Sequence, residues 1–287
     1  MGSQVKAFRV GDAVYGLHFE RPAIPHKSPG YASEYCVTNE KFLLPKPPHI
    51  TFEEAASLIG SAITAYQSIK LGLEFMGDSG STLEGKTVFV PGALSATGSL
   101  GVQLLKNAYG VKKVISTVST PKVSLVEKYL PGIVDQVIDY RTQDIVKEVG
   151  KGNVDFVYNT QWQFTSTFPL LNPKTGVAIS IASVPEPSTL REVMGPGVLP
   201  FWVGWLLGLI QLWYRFKLRG TNIRIAFLSG DGSKREDLEV VGELIATGKI
   251  RPVIRVVRLD DIEAVRKGCE EVRSGKGGIG KLVIKVV

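Results

Sequence analysis

The sequence predicts an α/β protein in which a doubly wound parallel sheet is inserted between two parts of a smaller β-rich region. Three observations lead there. From Gly85 onward, short β-rich runs alternate with longer helical stretches, the pattern of a parallel sheet wrapped by helices. The first two runs, Thr87–Val90 and Val114–Thr117, are almost wholly apolar or β-branched, as suits strands buried on both faces. Both chain ends instead carry short β-type runs with irregular, glycine- and proline-bearing connections.

Taken in order, residues 1–48 read as strands and loops rich in Gly, Pro and Tyr. Thr51-Phe52-Glu53-Glu54 has the form of a capping box, and opens a helix through Ala55, Ala56 and Leu58. After Thr87–Val90, the stretch Gly98–Ala108 offers Leu100, Leu104, Leu105 and Ala108 to cover the sheet, and Pro121–Leu130 reads as a second helix. Further strands are expected at Gln136–Asp139, Val154–Tyr158, Val177–Ile181 and Arg224–Leu228, with connections long enough for parallel crossovers. Beyond Gly248 come strands at Val253–Val257 and Leu282–Val286 around a helix, Leu259–Val272. The expected division is therefore 1–58, 59–228 and 229–287, the first and last parts forming one split domain.

Hydrophobic residues at 44% and charged residues at 21% are ordinary for a folded globular protein. The net charge is +7, but Lys and Arg are scattered without a basic run, so nucleic acid is not the expected partner. Cys36 and Cys269 are far apart and too few for a disulfide framework or a cysteine-rich zinc site. With no charged-then-apolar pattern at the start of the sequence, the reading is a reducing, cytoplasmic setting.

Val198–Tyr214 is nearly all apolar and is followed by Arg215, Lys217 and Arg219. Pro200, Gly204, Gly208 and Gln211 weaken it as a spanning segment. The expectation is a buried helix over a substrate cleft or at a homodimer seam. Peripheral membrane contact through residues 198–219 is the competing role.

The informative loop is Val88-Phe89-Val90-Pro91-Gly92-Ala93-Leu94-Ser95-Ala96-Thr97-Gly98-Ser99. Between a strand and a helix, such a turn sets backbone N–H groups and the positive helix end against a pyrophosphate. Gly92 permits the turn and Gly98 lets the helix pack close. Ser95 stands where the usual fingerprint has its middle glycine. The alternative is a purely structural turn. NAD sites place an acid about 20 residues further on, at the ribose 2′-hydroxyl. Here the second-strand neighbourhood reads Ser116-Thr117-Val118-Ser119-Thr120-Pro121-Lys122, with no acid between Val111 and Val126. Hydroxyls and a lysine suit a 2′-phosphate, so NADP(H) is the expected cofactor.

Val10-Gly11-Asp12-Ala13-Val14-Tyr15-Gly16, Gly30-Tyr31-Ala32-Ser33-Glu34-Tyr35, Glu53-Glu54-Ala55-Ala56 and Thr64-Ala65-Tyr66 come in that order along the chain. Gly85-Lys86-Thr87-Val88, Val137-Ile138-Asp139-Tyr140, Gly248-Lys249-Ile250-Arg251-Pro252-Val253 and Gly280-Lys281-Leu282-Val283 follow. Together these resemble successive landmarks of the zinc-less medium-chain dehydrogenases/reductases, the quinone and enoyl reductases, over nearly the whole chain. The Ser-Ala-Thr-Gly loop is similar to that of fungal members, including trans-acting enoyl reductases of polyketide pathways. The resemblance implies a Rossmann-type sheet within a GroES-like catalytic domain.

It also implies cofactor contacts at Gly92, Ser95, Ala96, Thr97 and Gly98, with Ser119, Lys122 and Tyr140 at the 2′-phosphate and adenosine. Thr64 would lie beside the nicotinamide, and Asn159, Thr160, Ala182 and Ser183 beside the ribose and nicotinamide. Each has a structural alternative; Thr64, for one, would serve equally as a helix hydroxyl bonded to a preceding carbonyl.

The zinc-bearing branch's Cys and His ligands have no equivalents, and His18, His26 and His49 show no ligand spacing, so no metal is expected. Family members carry several dozen more residues before Gly11, so the resemblance also implies a shortened catalytic region. No catalytic residue is assigned; Tyr31 and Tyr66 are the proton donors considered. The leading reading is an NADPH-dependent reductase of an enone- or quinone-like small molecule. The rival is a catalytically impaired or non-redox biosynthetic protein that binds nucleotide on the same scaffold.

Overall fold

The structure, a computed structural model, describes residues 1–18, 31–77, 83–195, 197–275 and 278–286. His26 and Gly30 lie outside the described residues. Near the start, Val14–Gly16 (β1) pairs antiparallel with Leu43–Pro45 (β2). Thr51 then closes the capping box: its hydroxyl accepts from the Glu54 N–H at 3.1 Å, and the Glu54 carboxylate accepts from the Thr51 N–H at 2.8 Å. The helix so opened, α1 (Phe52–Met76), continues for 25 residues and ends on Gly77 in the left-handed region.

Six parallel strands follow: β3 (Thr87–Pro91), β4 (Lys113–Val118), β5 (Gln136–Asp139), β6 (Phe156–Asn159), β7 (Val177–Ser180) and β8 (Arg224–Phe227). Their order in the sheet is β5-β4-β3-β6-β7-β8. Successive side chains of β3 take opposite faces, as the pleat requires. Val88 and Val90 join α1 and α2 (Ala96–Asn107) in one core, with Leu100, Leu104 and Leu105 facing the sheet as expected. Phe89 points the other way, into a second core. There it meets Val157, Ala178, the 3₁₀ segment Phe164–Leu170 and Tyr214. The sheet is thus covered on both faces, the condition for an all-parallel arrangement.

Two glycines set how closely the helices approach. A Cβ on Gly72 of α1 would lie 2.4 Å from the Phe156 ring, and one on Gly101 of α2 would lie 2.6 Å from the Tyr158 ring. Both rings are fully buried.

The remaining helices are α3 (Val123–Tyr129), preceded by a 3₁₀ turn at Thr120–Lys122, then α4 (Ile145–Val149), α5 (Pro187–Met194) and α6 (Phe201–Lys217). The last helices are α7 (Arg235–Ala246) and α8 (Ile262–Ser274). The sequence reading did not anticipate α7, although Leu238, Val241 and Ile245 share its buried face. It is clamped to α1 through buried Asp237, which accepts from Gln67 Nε2 at 2.8 Å and from Lys70 Nζ at 2.9 Å. Near the C-terminus, Ile254–Arg258 (β9) and Lys281–Lys285 (β10) pair in parallel around α8. The helix between them begins at Ile262 rather than at Leu259, because Asp261 caps it by accepting from the Ala264 N–H at 3.0 Å.

The expectation of a helix over Val198–Tyr214 buried within the chain, over a cleft, needs correction. Within α6 only Gly204 and Tyr214 are buried, whereas Trp202 and Trp205 remain 56% and 66% exposed. Among the described residues, no helix is long and apolar enough to cross a membrane.

Replacing Gly101 with Ala tests the close packing of α2. Helix propensity alone favours alanine by about 1 kcal/mol. Driving a methyl into a buried ring costs about 1–3 kcal/mol and should win. We expect Gly101→Ala to unfold at lower urea than the parent; a stabilised variant would show that the helix has room to spare.

Candidate cofactor site

In a doubly wound sheet, ligands bind beyond the carboxyl ends of the strands, where the strand order reverses. Here β3 is that point: β4 and β5 lie to one side and β6, β7 and β8 to the other. Twelve of the thirteen sequence-predicted site residues lie at or just beyond strand ends along this edge, and Thr64 approaches it from α1.

The loop after β3 is tight. The Gly92 N–H donates to Thr117 O at 3.0 Å, and the Ser95 N–H returns to Gly92 O at 2.9 Å. Gly92 has φ +80°, and a Cβ there would lie 2.6 Å from the Gln161 side chain. At Gly98 a Cβ would lie 2.3 Å from Gly92 O, so only glycine lets α2 begin so close to the strand end.

Ser95 needs no glycine, since its φ of −75° and ψ of 161° are ordinary extended backbone. Its hydroxyl caps α2, accepting from the Gly98 N–H at 3.0 Å. With that amide satisfied, the N–H groups of Ala96 and Thr97 remain as first-turn donors at partly exposed residues. A helix start with such donors fits the phosphate end of a dinucleotide.

After β4, Ser119 is buried, whereas Lys122 extends toward the C-terminal part of the chain and donates through Nζ to Gly278 O at 2.7 Å. The segment beyond Gly278 crosses the loop itself: the Gly280 N–H donates to Leu94 O at 2.7 Å, and Ser95 and Gly280 form a parallel bridge. Tyr140, after β5, is half exposed.

On the other side, Asn159 is fully buried and its Nδ2 donates to Gln161 O at 2.7 Å and Ser180 Oγ at 2.8 Å. Its Oδ1 is a buried acceptor without a donor. Thr160 Oγ1 donates to Pro91 O at 2.5 Å, tying the ends of β6 and β3 together. Ala182 is partly exposed and Ser183 is buried. Thr64 Oγ1 donates to Gly60 O at 2.8 Å within α1, and a Cβ on Gly230 would strike that hydroxyl.

Sequence reasoning did not assign Asp139, a buried acid at the end of β5. The Thr120 side chain, the Arg141 N–H and the Thr142 hydroxyl all favour its charged form and hold its carboxyl below the usual range. A carboxylate therefore stands beside the cofactor-preference loop even though the sequence between Val111 and Val126 holds no acid. Its neighbours, however, occupy much of its accepting capacity. Of the proton donors considered, Tyr31 packs its ring 5.6 Å from that of His18, and Tyr66 lies beside Lys70 and Asp237.

With this geometry in place, comparison with known proteins identifies the class: the zinc-binding dehydrogenase family matches residues 134–284, and the chain belongs to it. A 2-methylene-furan-3-one reductase of Solanum lycopersicum is 33% identical over 187 residues, which cover 65% of this chain and 45% of that protein. The chain thus spans less than half the length of that relative. A mitochondrial NAD(P)H oxidoreductase of Mus musculus is 30% identical over 294 residues, covering 100% of this chain and 67% of that one. Among solved structures, a quinone oxidoreductase from Coxiella burnetii superposes with a TM-score of 0.68 at 23% identity, over 100% of this chain and 76% of that one. That last likeness concerns the fold.

Zinc, which the family's name implies, finds no fit here: among the described residues no group of three or more His, Cys, Asp or Glu side chains could hold a metal ion. His18 packs between the Tyr31 and Phe42 rings, and Cys36 and Cys269 are exposed and free of any disulfide.

The depressed Asp139 carboxyl has a pH consequence. Its stabilising contribution is fully present above the ordinary aspartate pKa and disappears as pH falls through the lower folded value. Asp139→Asn should therefore shrink the stability difference between about pH 7 and about pH 3, read from urea melts. An unchanged acid limb would show that Asp139 titrates alike in the folded and unfolded chains.

Proposed function

We propose that this chain binds NADPH along the carboxyl edge of its parallel sheet and reduces an activated C=C bond or a quinone. The observation that carries the reading is the loop Gly92–Gly98, with its glycine-only approach of helix to strand at the reversal of strand order. We assign the pyrophosphate to Ala96 and Thr97 N–H, and the 2′-phosphate end to Ser119, Lys122 and Tyr140. The ribose and nicotinamide end falls to Thr64, Asn159, Thr160, Ala182 and Ser183. When bound, reduced nicotinamide supplies hydride to an electron-poor carbon. The chain's own part is to hold the two reactants in register and exclude water.

The parts 1–58 and 229–287 form the catalytic side of the protein in this reading, and 59–228 forms the cofactor side. The printed names of the relatives support the substrate class: one acts on a furanone, another uses NAD(P)H. We place the protein in a cytoplasmic setting, which two free cysteines suit.

Lys122 gives the sharpest test. Lys122→Ala should weaken NADPH by about 1–3 kcal/mol, the scale of a charged hydrogen bond, and leave NADH nearly unchanged. Because Lys122 also holds Gly278, the NADH arm separates loss of phosphate binding from loosening of the segment that crosses the loop. Equal parent affinities for NADPH and NADH would sink the cofactor assignment. NADPH consumption against a panel of enones and quinones tests the activity; binding without turnover would favour the rival, a nucleotide-binding protein without reductase chemistry.

A further inference from the structure

Helix α6 has an unusual outer face. An α-helix turns about 100° per residue. On that wheel Phe201, Leu212, Trp205, Phe216, Leu209 and Trp202 follow one another in steps of about 20°. Trp213 and Leu206 extend the arc to about 140°. Every one of these side chains is exposed, from 43% at Leu209 to 86% at Phe201. Three of the chain's four tryptophans lie on this arc. The opposite side of the helix packs inward: Tyr214 is buried, and Ile210 lies against the core that contains Phe89 and Val157. The arc is therefore neither a core face out of place nor a fraying end.

Its edges are cationic. Lys217 borders the arc on one side and Arg215 on the other, and Arg219 follows one turn beyond. All three are exposed. Lys217 Nζ lies 5.5 Å from the Trp213 ring centre, and the Arg219 guanidinium lies 4.5 Å from that of Phe216, so these cations sit at the rim of the aromatic surface. Arg215 makes only a loose ion pair, 3.7 Å from Glu186. The helix itself carries no Asp or Glu.

We propose that α6 docks this protein on an anionic lipid surface, lying in the plane of the membrane. An interfacial helix needs a wide apolar face with aromatic residues, a protein-bound or polar back, and basic side chains at the boundary. Each is present. Its length and composition exclude spanning but suit shallow burial, and the flanking cations match the negative headgroups. A second copy of the chain fits less well, because α6 offers no carboxylate to meet another copy's Arg215, Lys217 and Arg219. The proposal is independent of the cofactor reading, since no cofactor-site residue lies on the helix.

The test is sedimentation of the full chain with phosphatidylcholine vesicles, with and without phosphatidylserine, while following tryptophan emission. The expected result is co-sedimentation and a blue shift with phosphatidylserine, weakened by salt. Binding to phosphatidylcholine alone should be weaker by on the order of tenfold. The double variant Trp205→Glu, Phe216→Glu should lose binding. Lys217→Glu with Arg219→Glu, which leaves the apolar arc intact, should lower it by on the order of tenfold or more. Thermal melts check that both variants fold. Absence of binding to phosphatidylserine vesicles would overturn the proposal, as would equal binding to both vesicle types. Self-association abolished by Trp205→Glu, without vesicle binding, would assign the face to a second copy instead.

Discussion

Between the carbonyl oxygen of Gly92 and the α-carbon of Gly98 there is no room for a methyl group, since a Cβ would sit 2.3 Å from that oxygen. That close approach lets α2 start directly above the end of β3, with first-turn N–H groups facing the crevice. The surrounding loops are arranged about it. Thr160 donates to Pro91, Gly280 donates to Leu94, and the Gly92 N–H donates to Thr117. Three segments distant in sequence are thereby fixed to the same short turn. A shift of the turn by the width of a methyl group would disturb all three.

Two further contacts carry the constraint outward. Gln103 on α2 donates to Arg251 O and accepts from Arg251 N–H, at 2.8 and 2.9 Å, and so joins the cofactor helix to the C-terminal part of the chain. Gly280 has φ +67°, and a Cβ there would collide with Val253 O, so glycine is what lets the chain enter β10 this close to β9. The segment that crosses the loop also accounts for the position of Lys122, whose ammonium donates to Gly278 O.

Much of this was legible in sequence. The six sheet strands fall within two residues of expectation because apolar, β-branched runs bounded by turns carry a local signal. The Thr51 cap and the loop glycines were legible for the same reason. Ser95 departed from the fingerprint, and the structure explains why: that position takes ordinary backbone angles and uses its hydroxyl as a cap. What escaped is long-range. Lys122 meets Gly278 across 156 residues, and Asp139 reaches the Thr120 loop from a neighbouring strand. Spacing cannot show either contact. Helix α6 misled because an apolar sequence suggests burial, whereas here one arc of it faces outward.

Everything above turns on whether the Gly92–Gly98 turn holds the phosphates of a nicotinamide dinucleotide. Calorimetric titration of NADPH into the parent and into Gly98→Ala tests it most directly. The parent should bind saturably. The variant should lose about 2 kcal/mol or more of binding, the cost of displacing a packed loop, with the remainder of the fold intact by circular dichroism. Unaltered NADPH affinity in a folded Gly98→Ala protein would contradict it.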